Sequence, residues 1–153
     1  MGIPNMSTVE TEGPFAGWST WKGDPYESHV GPMYYRSDEN GVARCAFRAE
    51  RKHVNGHSNL HGGMLMTFAD YSLFAFAQGH MGEAGAVTIS LSGDFTAAAN
   101  EGDLIEAVGE VVHETPGMVF LRGRIVCGET TLLNYSGILK KLKARPASER
   151  RER

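Results

Sequence analysis

The sequence predicts an α+β domain, a curved antiparallel sheet wrapped around one long buried helix. Three observations carry this reading. One segment, "MLMTFADYSLFAFAQGHMG" (64–82), is apolar nearly all round, free of proline, and entered through Gly62-Gly63. Four strand-like runs follow it, and the connectors between them are short and made of turn residues. A helix without a polar face must be covered on every side. A sheet that curves around it supplies most of that cover.

The elements follow in order. Residues 1–30 form an arm. Its stretch "GPFAGWSTWKGDPYESHVGP" mixes Gly and Pro with Phe15, Trp18, Trp21 and Tyr26. Disordered tails rarely spend two tryptophans, so the arm is expected to pack its aromatics on the body or on a neighbouring subunit. The main domain spans 31–143. It opens with "MYYRSDENGVARCAFRAERKH", two extended runs around the turn signal "DENG". The helix comes next and is expected to close at Gly79 or Gly82. Then come "GAVTISLSGDFTAA", "GDLIEAVGEVVHE", "MVFLRGRIVCG" and "TTLLNYSGILKKLK". Their connectors "AANEGD", "TPG" and "GET" predict a meander of antiparallel hairpins. The tail 144–153, "ARPASERRER", is polar and expected to fray. One side of the helix would stay open in a monomer. A second copy would cover it, so at least a homodimer is expected.

Composition narrows the function classes. The chain has 153 residues, enough for one domain, and a net charge of −3. That balance carries no basic excess, which argues against nucleic acid as a partner. No apolar run reaches membrane-spanning length. The first residues carry no basic n-region and no apolar h-region, which points to a cytoplasmic protein. Cys45 and Cys127 are far apart and read as small buried hydrophobes. There is no G-x-S-x-G elbow and no phosphate loop ending in Lys-Ser/Thr. His53, His57 and His61 are spaced by four, but their segment precedes the helix and carries two Asn and a Gly. No metal site and no cofactor are expected.

The chemistry concentrates in "NGHSNLHGGMLMTFAD" (55–70). Gly62 and Gly63 fall in the first turn of the helix. Backbone N–H groups there lack intrahelical partners and sit at the positive end of the helix dipole. Such a donor can polarise a carbonyl and stabilise an oxyanion. Asp70 places an acid on an otherwise apolar helix, which is costly unless the group is paired or used. A carboxylate so placed suits a general base or a nucleophile. Asp70 lies eight residues past Gly62, about 12 Å along a helix. The two cannot both touch one carbonyl. If they cooperate, they come from two copies of the helix, lying antiparallel across a two-fold axis.

This stretch resembles the signature of the hotdog-fold acyl-CoA thioesterases, in the PaaI-like branch of phenylacetate degradation. The signature is an Asn, then His-Gly-Gly six residues on, then an acid eight residues past the first Gly. Here these are Asn55, His61-Gly62-Gly63 and Asp70. The likeness runs from about Tyr34 to Leu142 and leaves out the aromatic arm. It implies hydrolysis of aryl or short- to medium-chain acyl-CoA in a homodimer, and further in a homotetramer. Asp70 would activate water or attack the thioester carbon. Gly62 of the facing subunit would polarise the carbonyl. His61 and Asn55 would hold the thioester or the water. Thr88, in "AVTIS", matches a Ser/Thr position near the acid. Glu-type relatives carry Ser or Thr one helical turn after the acid. This chain has Phe74 there, which fits the Asp-type arrangement with Thr88 in the hydroxyl role; Ser72 lies on another face. Arg51, Lys52 and Arg122 are the cations considered for CoA phosphates. The rival reading is a non-catalytic acyl-CoA-binding or regulatory hotdog protein, which would need no acid at position 70.

Overall fold

The computed structural model describes residues 7–144. The tail expected to fray therefore lies, apart from Ala144, outside the described residues. Eight strands form one antiparallel sheet: β1 (Ser7–Val9), β2 (Ser19–Trp21), β3 (Tyr34–Ser37), β4 (Ala43–Arg48), β5 (Ala86–Phe95), β6 (Leu104–Glu114), β7 (Met118–Cys127) and β8 (Thr130–Lys141). Their order across the sheet is β1-β2-β3-β4-β6-β7-β8-β5. A short helix, α1 (Pro25–Val30), ends the arm. The long helix, α2 (Gly62–Phe76), lies against β4, β6, β7, β8 and β5. None of the described helices is long and apolar enough to cross a membrane.

The expected architecture is present, and one connection differs. β6, β7 and β8 form the predicted meander, but β5 does not pair with β6. It crosses to the far edge and pairs with β8, from Ala86↔Lys141 to Phe95↔Leu133. The place beside β6 belongs to β4, with Phe47↔Ile105 in register. The connector "AANEGD" is too long for a two-residue hairpin and instead closes on other segments. Leu60 N–H donates to the Ala99 carbonyl, and Ala49 N–H donates to the Asp103 carbonyl. The helix also stops earlier than expected, at Phe76, and Gly79 sits in the turn beyond it with φ +83°.

The core follows strand alternation. Cys45, Phe47, Ile105, Ala107, Val119, Leu121, Ile125 and Leu139 all point at α2 and are buried. Leu132 and Leu133 are adjacent yet both fully buried. A bulge between β7 and β8 reconciles this, since the register steps from Ile125↔Leu133 to Val126↔Thr131. Cys127, by contrast, is only half-buried at the end of β7.

The helix comes very close to the sheet at Gly109. A Cβ built there would lie 2.5 Å from the Arg122 carbonyl oxygen and 2.5 Å from the Phe76 ring. Glycine is required there by the approach of helix to strand. The arm packs on its own chain. Phe15 stacks on Tyr34 at 4.1 Å, Trp21 stacks on Tyr35 at 4.5 Å, and the Arg36 guanidinium covers Trp18.

Gly109→Ala is expected to cost about 1–3 kcal/mol of stability through overpacking against backbone. Thermal unfolding followed by circular dichroism should show Tm lowered by roughly 3–10 °C. An unchanged Tm would contradict this account of helix–sheet contact.

Candidate active site

The site begins with the loop that delivers the helix. Asn55 Oδ1 accepts from the N–H groups of His57 (2.9 Å) and Asn59 (3.2 Å). This folds residues 55–59 into a tight Asx-type turn, with Ser58 at φ +64°. His61 N–H then donates to the His53 carbonyl, placing His61 at the N-cap of α2. The His61 ring accepts the Gly63 N–H on Nδ1 at 2.8 Å. Gly63 is thereby capped. The Gly62 N–H has no intramolecular partner among the described residues.

The three histidines turn to separate tasks. His53 accepts the Glu50 N–H on Nδ1 and so carries its proton on Nε2, which donates to the Val30 carbonyl. His61 caps the helix, and His57 is exposed in the turn.

Eight residues further on is Asp70. The Thr88 hydroxyl donates to Asp70 Oδ1 at 2.6 Å, a charge-assisted bond. The edge strand supplies this partner by a local irregularity. Opposite β8 the register steps from Thr88↔Leu139 to Ser90↔Ile138, leaving Ile89 as the extra residue. A bulge re-aims the side chain beside it. Asp70 is half-buried and belongs to a stripe on α2 that its own sheet leaves partly open: Gly63, Met66, Thr67, Asp70 and Phe74. These recur at helical spacing. Ser72 is fully buried on another face, where it donates to the Ala69 carbonyl and accepts from Tyr135.

The expected site residues thus fall into two groups within one chain. Asp70 and Thr88 touch. His61 and Gly62, with the Asn55 turn before them, stand about 12 Å away at the start of the same helix. The cations considered for CoA are engaged elsewhere. Arg122 donates to Glu110 at 2.7 Å, Arg51 faces Glu101 at 3.9 Å, and Lys52 Nζ donates to the Gly31 carbonyl. A groove of about 490 Å³ lies on the sheet face away from α2, lined by Val108, Glu110, Arg122, Arg124 and Asn134.

Three residues join the site that sequence reasoning did not assign to it. Phe95, at the end of β5, lays its ring 3.3 Å from where a Gly62 Cβ would be. Its position at the end of a β-run, 54% exposed, gave no local signal. Tyr26 reaches from α1 to Thr67. Thr67 spends its proton on the Gly63 carbonyl, so Tyr26 Oη donates to Thr67 Oγ1, at 2.9 Å. Glu27, the next residue, is half-buried. Burial, with Asp24 and Asp70 as facing like charges, pushes its carboxyl up to about 7. Asp24-Pro25 was a legible helix start, since Asp24 caps α1 by accepting the Glu27 N–H.

Comparison with known proteins gives these parts a context. The Thioesterase superfamily profile matches residues 57–134, from the turn before α2 into β8. A Pseudomonas aeruginosa protein, PA0474, provisionally named an esterase, is 31% identical over 119 residues, covering 77% of this chain and 89% of its own. The Escherichia coli PaaI protein of the phenylacetic acid degradation operon superposes with a TM-score of 0.67 at 24% identity, over 80% of this chain and 87% of that one. The Bacillus halodurans protein BH2602, whose structure was solved with CoA, superposes with a TM-score of 0.70 at 18% identity, over 81% and 82%. By sequence match and by architecture, this chain is a hotdog-fold member of the Thioesterase superfamily.

Proposed function

We propose that the protein hydrolyses acyl-CoA thioesters at two equivalent composite sites of a homodimer. The observation that carries this reading is the Thr88–Asp70 hydrogen bond on the open stripe of α2. A non-catalytic binder would have no use for an acid held in this way. The CoA bound by the Bacillus halodurans relative supports CoA as the carrier. Met66 and Phe74 flank Asp70 on the stripe, which suits an aryl or a short- to medium-chain acyl group.

With the hydroxyl held on Oδ1, Oδ2 of Asp70 is left to take a proton from water. That water attacks the thioester carbon. Charge developing on the carbonyl oxygen meets the Gly62 N–H of the partner subunit, at the positive end of its α2. Collapse of the intermediate breaks the C–S bond. Asp70 returns the proton to the departing thiolate, giving free acid and CoA. His61 fixes the helix start by capping Gly63, and Asn55 holds the turn that presents it.

Two features support the dimer. Asp70 and Gly62 of one chain are too far apart to share a carbonyl. In addition, β5 is a ten-residue edge strand with Val87 (43%) and Ile89 (52%) exposed. Long uncovered edges of this kind are templates for pairing. A second copy paired along β5 extends the sheet and sets the two α2 helices side by side. Further pairing into a homotetramer rests on the PaaI-like resemblance.

Asp70→Asn should lower kcat by about 10³-fold with KM little changed, measured by thiol release from a panel of acyl-CoAs. Equal thiol release by wild type and variant would sink the enzyme reading. In a single turnover in heavy-oxygen water, label in Asp70 identifies an acyl–aspartyl anhydride opened at the aspartyl carbon, an intermediate that a general base never forms.

Gly62→Pro removes the N–H at a position where proline is tolerated, and His61 already has the extended backbone that precedes proline (φ −65°, ψ 133°). Alone it should cost about 10²-fold or more in kcat. Coexpressed in equal amounts with Asp70→Asn, it should restore about a quarter of wild-type activity, because half the dimers are mixed and each has one intact composite site. Sites confined to one chain would show no restoration.

A further inference from the structure

We propose that Glu27 of the arm is a positioning residue of the active site: α1 docks through Tyr26 one turn from Asp70 on α2, and the charge of Glu27 controls the net charge there. The residue lies outside the matched family segment, which begins at 57, and outside every role assigned above.

The seating is specific. Tyr26 Oη donates to Thr67, one turn before Asp70 on the same stripe. At the other end of α1, His53 Nε2 donates to the Val30 carbonyl and Lys52 Nζ to the Gly31 carbonyl. Just beyond, the Tyr71 hydroxyl donates to the Met33 carbonyl at 3.0 Å, and Trp21 packs on Tyr71 with ring centres 4.7 Å apart. With the arm tied at both ends, Glu27 is half-buried.

The groups that face it set its behaviour. On its own element Asp24 caps α1 with its carboxylate. From α2, Asp70 adds a like charge, and Glu27 in turn helps push up the Tyr71 phenol. From the 3₁₀ turn Arg51–His53, the Lys52 ammonium is committed to the Gly31 carbonyl and stands 3.7 Å from Glu50. His53 is committed through both ring nitrogens. Burial and two like charges therefore keep the proton on Glu27 up to about pH 7. With that proton in place Glu27 adds no negative charge beside Asp70. Above that pH, a second negative charge opposes the oxyanion that hydrolysis must form. The sign for folding agrees. A carboxyl whose folded-state pKa is raised contributes stability below its ordinary range, and that contribution is lost as pH rises through about 7.

The inference rests on the thioesterase reading only for its kinetic test, so two measurements are paired. In the first, wild-type kcat/KM for an acyl-CoA should decline on the alkaline side of pH 7, and Glu27→Gln, neutral at every pH, should lose that decline. The ratio of variant to wild type should rise about tenfold between pH 6 and 8.5. Superimposable pH profiles would overturn the proposal. In the second, carbon NMR of the wild-type Glu27 carboxyl should show a midpoint near 7 that drops in Asp70→Asn, because coupling between two sites is reciprocal. A midpoint in the ordinary carboxylate range, or one indifferent to Asp70→Asn, also overturns it. If no acyl-CoA is hydrolysed, the proposed function fails, and the NMR titration still decides the role of Glu27.

Discussion

The architecture depends on the need to cover a fifteen-residue helix that has almost no polar face. Nine of its residues, from Met64 to Phe76, are buried. Each apolar side chain taken from water contributes about 1.5–3 kcal/mol, so an uncovered helix of this composition would not persist. The sheet meets the demand by curving until five strands touch α2. Glycine at 109 lets strand and helix close to contact distance, and the bulge at Leu132 keeps two successive leucines inside. The arm adds the next part of the cover through Trp21, Tyr26 and α1. What stays open is narrow, and the acid lies within it.

This places packing and chemistry on the same element. β5 is the last strand of the sheet on its side, and it supplies both the hydroxyl for Asp70 and the ring beside Gly62. Its irregularity at Ile89 departs from ideal pairing at the place where Thr88 must turn towards α2. At the other end of the helix, His61 occupies one first-turn donor and leaves its neighbour available. The same backbone geometry that starts the helix therefore also selects which N–H faces outward.

Much of this was legible because it is local. The apolar run 64–76 gave the helix, the Gly62-Gly63 pair gave its start, and "DENG" gave the β3–β4 turn, where Asp38 Oδ1 accepts the N–H groups of Asn40 and Val42. The spacing of Asp70 from Gly62 already separated them. The crossing of β5 to β8 was not legible, because strand order depends on contacts more than thirty residues apart and the six-residue connector fits either route. Phe95, Tyr26 and Glu27 were missed for the same reason. Each reaches the site from an element whose docking no local pattern specifies. Thr88 was found through the family likeness, and the bulge that orients it has no sequence mark of its own.

The route of β5 has a consequence for the order in which the molecule is completed during synthesis. Asp70 and Thr88 are eighteen residues apart and leave the ribosome almost together. Yet among the described residues β5 pairs with β8 alone, the last of their strands, through Phe95↔Leu133 to Ala86↔Lys141. Until those residues emerge, the strand that supports the acid has no neighbour to hold it in register. The emergence of β8 therefore completes two things at once: it brings Leu132, Leu133, Tyr135 and Leu139 to the core, and it fixes the strand that carries Thr88 to Asp70.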